Sequence, residues 1–255
     1  MKNDARLKPR ATVMFALLAL AAPASAQTDT EHVTQTVKLD PGGTLRLNNF
    51  SGRVSISAGD RPEVVIDATR RAPRERLDRI KLDIHTEGST VIVEANHRDR
   101  SWFDRYRDNV VATDFTITVP RRTNLDVHVF SSPVDVTGVE GSHTLHGFSS
   151  ALRLIDVTGP VQAHTFSGRV EIRAKGWEPR QTIDVNTFSG SIDVHVPDSA
   201  GGSVTFNSFS GHLSSDRPLT FHSARRRSLE AVLGSDSGAG TLRFKTFSGD
   251  VRIDR

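Results

Sequence analysis

The stretch "NTFSG", residues 186–190, returns as "HTFSG" at 164–168, "NSFSG" at 207–211, "KTFSG" at 245–249 and "NNFSG" at 48–52. Aligned on Phe50, Phe130, Phe148, Phe166, Phe188, Phe209 and Phe247, the copies are separated by 80, 18, 18, 22, 21 and 38 residues. The last spacing is close to twice 19 and the first to four times 20. A period near twenty with variable gaps marks stacked repeats with adjustable corners, each needing its neighbours to bury its apolar edge.

The alignment extends past the motif. Four residues after each Phe stand Val54, Val134, Leu152, Val170, Ile192, Leu213 and Val251; six after stand Ile56, Val136, Leu154, Ile172, Val194, Ser215 and Ile253. Between them lie Ser55, Asp135, Arg153, Glu171, Asp193, Ser214 and Arg252. Such alternation is the period of two of a half-buried strand. The position after Phe-Ser is always small (Gly52, Ser132, Ser150, Gly168, Gly190, Gly211, Gly249), which suits a sharp bend or close backbone approach. Each repeat therefore reads as strand, corner, strand. The phenylalanines are expected to fill the interior at every level, with the serine outward or bonded at the bend. Truncating one of them should then cost about 3–5 kcal/mol.

The chain begins with the basic stretch "MKNDARLKPR", the apolar run "ATVMFALLALAA" and "PASAQ", the three-part layout of a secretory signal cut between Ala26 and Gln27. The apolar run is too short to span a bilayer, and no later segment comes near that length. The leader carries Lys2, Arg6, Lys8 and Arg10 against Asp4, so its removal takes the 33 basic and 30 acidic residues to 29 of each. That balance speaks against nucleic acid as a partner. With no cysteine in the chain, disulfides, thiolate metal sites and a lipid-modified N-terminal Cys are excluded.

Residues 27–255 are read as one domain: 27–119 an irregular N-terminal cap or set of degenerate coils, 120–255 the regular repeats. Within the cap, "RIKLDIHTEGSTVIVEAN" predicts a hairpin turning at Glu87, Gly88 and Ser89, and "APRERLDRI", 72–80, a short helical turn. Two irregular insertions are expected, at 96–109 and 217–240, and the final repeat is expected to close the stack.

At this point the "DFTITVP" strand, "VFSSPVDVTGVEG" and the "TFSG" repeats running to the end resemble the bacterial "putative adhesin" family, the toastrack domain, over roughly residues 44–255. The resemblance implies an all-β, single-chain right-handed β-solenoid, a β-helix-like stack of coils of about 20 residues, exposed outside the cytoplasm. It implies no catalytic residues and no cofactor, and "adhesin" there is itself inferred from fold and location.

Three features invite chemistry. Two residues before each Phe stand Asn48, His128, His146, His164, Asn186, Asn207 and Lys245. Stacking makes His128, His146 and His164 vertical neighbours, candidates for a metal site. A side-chain ladder is the favoured reading, because ladder partners repeat along an axis whereas ligands converge on a point. The segment with Arg98, Arg100, Trp102, Phe103, Arg105, Tyr106 and Arg107 has the content of an interface hot spot or a sugar-stacking surface, or else folds over the solenoid with its arginines paired to Asp99, Asp104 and Asp108. The "ARRR" run, 224–227, reads as a solvated loop. Asp135 and Asp193 fall on an outward face as in polysaccharide-cleaving β-helices, but their repeat equivalents are Ser, Arg and Glu, as expected of an ordinary wet face. No nucleophile elbow, P-loop or HExxH signature occurs.

The expected function is that of an exported, non-catalytic binding protein at the cell envelope, in a periplasm or at the cell surface. Its partner would be an envelope polymer or a protein, with self-association possible through open strand edges. An envelope structural or stress-sensing component, and then a polysaccharide-active enzyme, follow as alternatives.

Overall fold

A computed structural model describes residues 28–97, 110–234 and 240–255. The chain is all-β. It opens with β1 (Asp29–Lys38), β2 (Thr44–Ser51), β3 (Val54–Gly59) and β4 (Glu63–Ala72). The helical turn α1 (Arg74–Arg79), the hairpin β5 (Lys81–Glu87) and β6 (Thr90–His97), and β7 (Ala112–Pro120) follow. The helix and the hairpin stand where the sequence placed them.

Strands then come in pairs joined by the FSG or FSS corner. They are β8 (Asn124–Ser131) with β9 (Val134–Thr137), β10 (His143–Ser149) with β11 (Leu152–Val157), and β12 (Val161–Ser167) with β13 (Val170–Ala174). After them come β14 (Thr182–Ser189) with β15 (Ile192–His195), and β16 (Gly202–Ser208) with β17 (Leu213–Ser215). A second hairpin, β18 (Leu219–Arg225) and β19 (Ser228–Leu233), precedes the last pair, β20 (Gly240–Thr246) and β21 (Val251–Asp254).

One strand of each pair enters each of two mixed, open sheets. The first runs β1-β4-β7-β3-β9-β11-β13-β15-β21-β17, the second β18-β19-β16-β20-β14-β12-β10-β8-β2-β6-β5. Successive repeats pair in parallel and in register, His143 beside Val161 and Leu125 in one sheet, Leu152 beside Val170 and Val134 in the other. Antiparallel strands occupy the flanks: β1 on β4 and β4 on β7 in the first sheet, β5 on β6 and β18 on β19 in the second.

Two expectations about the C-terminal third are corrected. The final repeat does not close the stack; β20 lies between β14 and β16, and β21 between β15 and β17. Within the expected irregular insertion at 217–240, residues 219–233 instead form the hairpin of β18 and β19, which pairs with β16. The alternation in "LTFHSAR" is poor because β18 is an edge strand with no buried residue on either face, so the strand signal is weak even though the backbone pairs.

The core lies between the two sheets. From the second sheet it takes the residues three and five before each Phe, such as Leu47 and Leu45, Val127 and Leu125, Val185 and Ile183; from the first it takes those four and six after, such as Val134 and Val136, Ile192 and Val194. Burying each such side chain contributes about 1.5–3 kcal/mol.

The phenylalanines themselves are not in this core. Phe50, Phe130, Phe148, Phe166, Phe188, Phe209 and Phe247 are 42–51% exposed. Each shares parity with the polar residue two before it, and both point outward. The positions four and six after the Phe also share that parity in sequence, but the corner between breaks the count, since side chains alternate only while the backbone stays extended. At Gly168 the corner has φ +136°, and a Cβ there would lie 2.2 Å from the Ser150 carbonyl oxygen. The glycines thus allow backbone to lie directly on backbone. Where serine replaces glycine its hydroxyl is used at the bend: Ser150 donates from Oγ to the Phe130 carbonyl at 3.3 Å and accepts from Ser132 N at 3.1 Å.

Melting curves should separate these roles. Ile183→Ala is expected to cost about 2–5 kcal/mol and Gly168→Ala more than about 2 kcal/mol. Phe166→Ala, which loses two ring contacts on the surface, should cost only about 1–3 kcal/mol. A Phe166→Ala loss as large as that of Ile183→Ala would return the phenylalanines to the interior.

Candidate functional site: an aromatic groove on the second sheet

Register fixes the site. Because the strands of the second sheet stack like on like, the outward positions form rows along the stack. The phenylalanine row runs Phe209, Phe247, Phe188, Phe166, Phe148, Phe130, Phe50, with ring centroids 4.6–5.0 Å apart and planes within 12° of parallel. Six steps at the strand spacing of about 4.8 Å make a strip roughly 29 Å long.

Beside it, two residues earlier on each strand, runs Asn207, Lys245, Asn186, His164, His146, His128, Asn48 and, on β6, Glu94. The two rows are the walls of an open groove of about 1160 Å³, floored by the strand segments between them. Arg227, in the turn between β18 and β19, also lines it, its guanidinium 4.1 Å from the Phe209 ring centroid.

The three histidines stack at 4.8 and 5.0 Å, with planes within 14° of parallel. Hydrogen bonds tie the column at both ends: His128 Nε2 donates to Asp126 at 2.8 Å, and Asn186 Nδ2 donates to His164 Nδ1 at 3.1 Å. The rings repeat along an axis rather than converge, and among the described residues no three His, Cys, Asp or Glu side chains gather as a metal site would need. Partial burial and then the neighbouring His128 and His164 hold His146 below the ordinary imidazole range. At Asp126 burial pushes upward, but the hydrogen bonds and charges of Arg46 and His128 prevail and hold its carboxyl below the usual range.

A fourth histidine was not singled out from sequence. His143 sits five residues before Phe148, an inward position occupied by Leu125 and Val161 on the neighbouring strands. It is fully buried, with Nε2 3.3 Å from the Thr158 carbonyl. Burial pushes its pKa down to about 4.

Of the other candidates, Arg98, Arg100, Trp102, Phe103, Arg105, Tyr106 and Arg107 lie outside the described residues. The "ARRR" run is the tip of the β18–β19 hairpin, and its last member reaches the groove. Asp135 and Asp193 lie on the outer face of the first sheet, on β9 and β15 with β11 and β13 between them, paired with Arg53 at 3.2 Å and Arg169 at 3.8 Å. The structure does not bring them together. The groove went unread in the sequence because its wall was assigned to the core. The signal was present, since Phe alternates in step with the polar position two before it.

The Toastrack DUF4097 family model matches residues 112–254, and the chain belongs to this family. No curated protein matches it significantly. Among solved structures it is similar to a "putative cell adhesion protein" from Clostridium sporogenes, at 11% identity and TM-score 0.49 over 88% of this chain and 99% of that one. It is also similar to a "putative adhesin" from Bacteroides fragilis, at 13% identity and TM-score 0.39 over 88% and 97%. A third is a "putative lipid binding protein" from Parabacteroides distasonis, at 10% identity and TM-score 0.33 over 87% and 96%. At these similarities nothing of their function is carried over.

The histidines make stability fall with acidification. A base whose folded pKa is depressed takes up its proton in the unfolded chain first. Stability is therefore full above about pH 6.5, is lost as pH drops toward the folded value, and levels off below it. For His143, at about 4 in the fold, the loss amounts to at most about 3 kcal/mol. Urea midpoints at pH 7.0, 5.5 and 4.5 should decline, and His143→Leu, which matches Leu125 in the same row, should flatten the decline. An unchanged slope in that variant would remove His143 as its cause.

Proposed function

We propose that this chain is an exported, non-catalytic binding module of the cell envelope, adhesin-like in role, and that the phenylalanine groove is its binding surface. We take the stack to be a right-handed solenoid with coils of about 20 residues, held in the periplasm or at the cell surface. The observation that carries this reading is the continuous strip of seven half-exposed phenyl rings. A folded protein seldom leaves so much contiguous apolar surface in water unless something covers it. Repetition also favours binding over turnover: an active site needs one constellation, whereas this surface offers the same contact seven times. The two outward carboxylates considered for catalysis are each occupied by an arginine and stand strands apart.

The test is co-sedimentation of the purified chain with isolated envelope, with purified peptidoglycan and with vesicles of extracted envelope lipid, beside a Phe148→Ser, Phe166→Ser variant shown to melt within a few degrees of the parent. Retention of the parent and loss of the variant on at least one fraction is expected. Retention of both forms would move the binding surface away from the groove, and retention of neither would remove the envelope reading.

A further inference from the structure

We infer that the groove takes a single long acyl chain bearing an anionic head, laid lengthwise along the phenylalanine row with its head between Lys245 and Arg227. The inference rests on the binding role proposed above and adds the chemistry of the occupant.

The faces of the rings are already used. Phe130, Phe148, Phe166, Phe188 and Phe247 each have a stacked neighbour on both sides, and Phe209 is covered by Phe247 and faced by Arg227. Among the described residues, Phe50 has one stacked neighbour, Phe130. Sugars and planar ligands are recognised on aromatic faces, and this wall offers edges instead. An unbroken row of C–H edges is an apolar rail without facial specificity, suited to methylene groups.

Length and area decide between the remaining occupants. A bilayer's hydrocarbon core is about 30 Å thick, so one leaflet's chains reach about 15 Å, and a strip of roughly 29 Å holds one such chain with room for a head. The volume of about 1160 Å³ is of the order of small-molecule sites, about 300–1,000 Å³. The strip is one ring wide, the width of a single extended chain rather than of the broad patch that a stable dimer buries. An extended peptide advances about 6.6–6.8 Å between side chains on one face, and it falls out of step with rings at 4.6–5.0 Å.

Charge sets the direction. At one end Lys245 and Arg227 line the groove, both exposed, and among the described residues neither forms an ion pair. An anionic head is drawn to this end, which leaves the tail over Phe188, Phe166 and Phe148.

The experiment is calorimetric titration of the full chain with hexadecanoate below its micellar concentration, with octanoate and an uncharged monoacylglycerol as comparisons. Saturable binding of one hexadecanoate per chain is expected, at least about a hundredfold tighter than octanoate. Lys245→Gln with Arg227→Gln should weaken hexadecanoate about tenfold and leave the monoacylglycerol unchanged. Phe148→Ser with Phe166→Ser should abolish both, and Phe166→Leu, which keeps the wall apolar, should retain them.

Absence of saturable hexadecanoate binding overturns the inference, as does binding that survives the serine variant. A dimer in light scattering that the serine variant dissociates and hexadecanoate does not would also overturn it, giving the strip to a second copy. Envelope retention through the groove without hexadecanoate binding overturns the acyl ligand alone and leaves the binding role standing.

Discussion

The hydrogen-bond spacing between stacked strands governs this molecule. Parallel, in-register pairing sets equivalent residues about 4.8 Å apart, close to the distance at which aromatic rings lie against one another. Any residue type repeated at one position becomes a column. The phenylalanines, at 4.6–5.0 Å, and the histidines, at 4.8 and 5.0 Å, are two such columns. Neither was assembled by tertiary convergence of distant segments. Both follow from backbone pairing applied to a repeated sequence.

The same constraint governs the corner. Successive layers approach so closely that a Cβ on Gly190 would lie 2.0 Å from the Gly168 carbonyl oxygen, and one on Gly249 2.1 Å from that of Gly190. Glycine is needed here for the approach of one layer to the next as much as for any single turn. Ser132 and Ser150 show what the alternative demands: both side chains are buried, and both enter hydrogen bonds at the bend.

Repeat spacing, the strand-corner-strand unit and the inward residues after each corner were legible in the sequence because each follows from period-two alternation within one straight segment. The phenylalanines were misplaced because parity was carried across a bend, where it has no meaning. Read backwards into its own strand, Phe188 keeps step with Asn186 and Asp184, and the outward assignment follows. The histidine column was legible from spacing alone, since the pairing of His128, His146 and His164 needs only contiguous layers. His143 was hidden for the opposite reason: one polar residue in an apolar inward row looks like noise until burial is known. The insertion of β20 between β14 and β16 left no trace in the sequence, because every layer presents nearly the same edge and pairing chemistry alone does not rank them.

That insertion bears on the order in which the molecule is put together. Residues 202–215 precede residues 240–254 in the chain but lie beyond them in the stack. A nascent chain can add layers one by one as far as β14 and β15. Its next layer has no permanent neighbour until the last strands emerge and enter between. Until then β16 and the β18–β19 hairpin lack their inner neighbour and are joined to the earlier layers through residues 196–201. Completion is then a single docking step with two seams closing together, and the far end of the molecule is the part whose native partner is synthesised last.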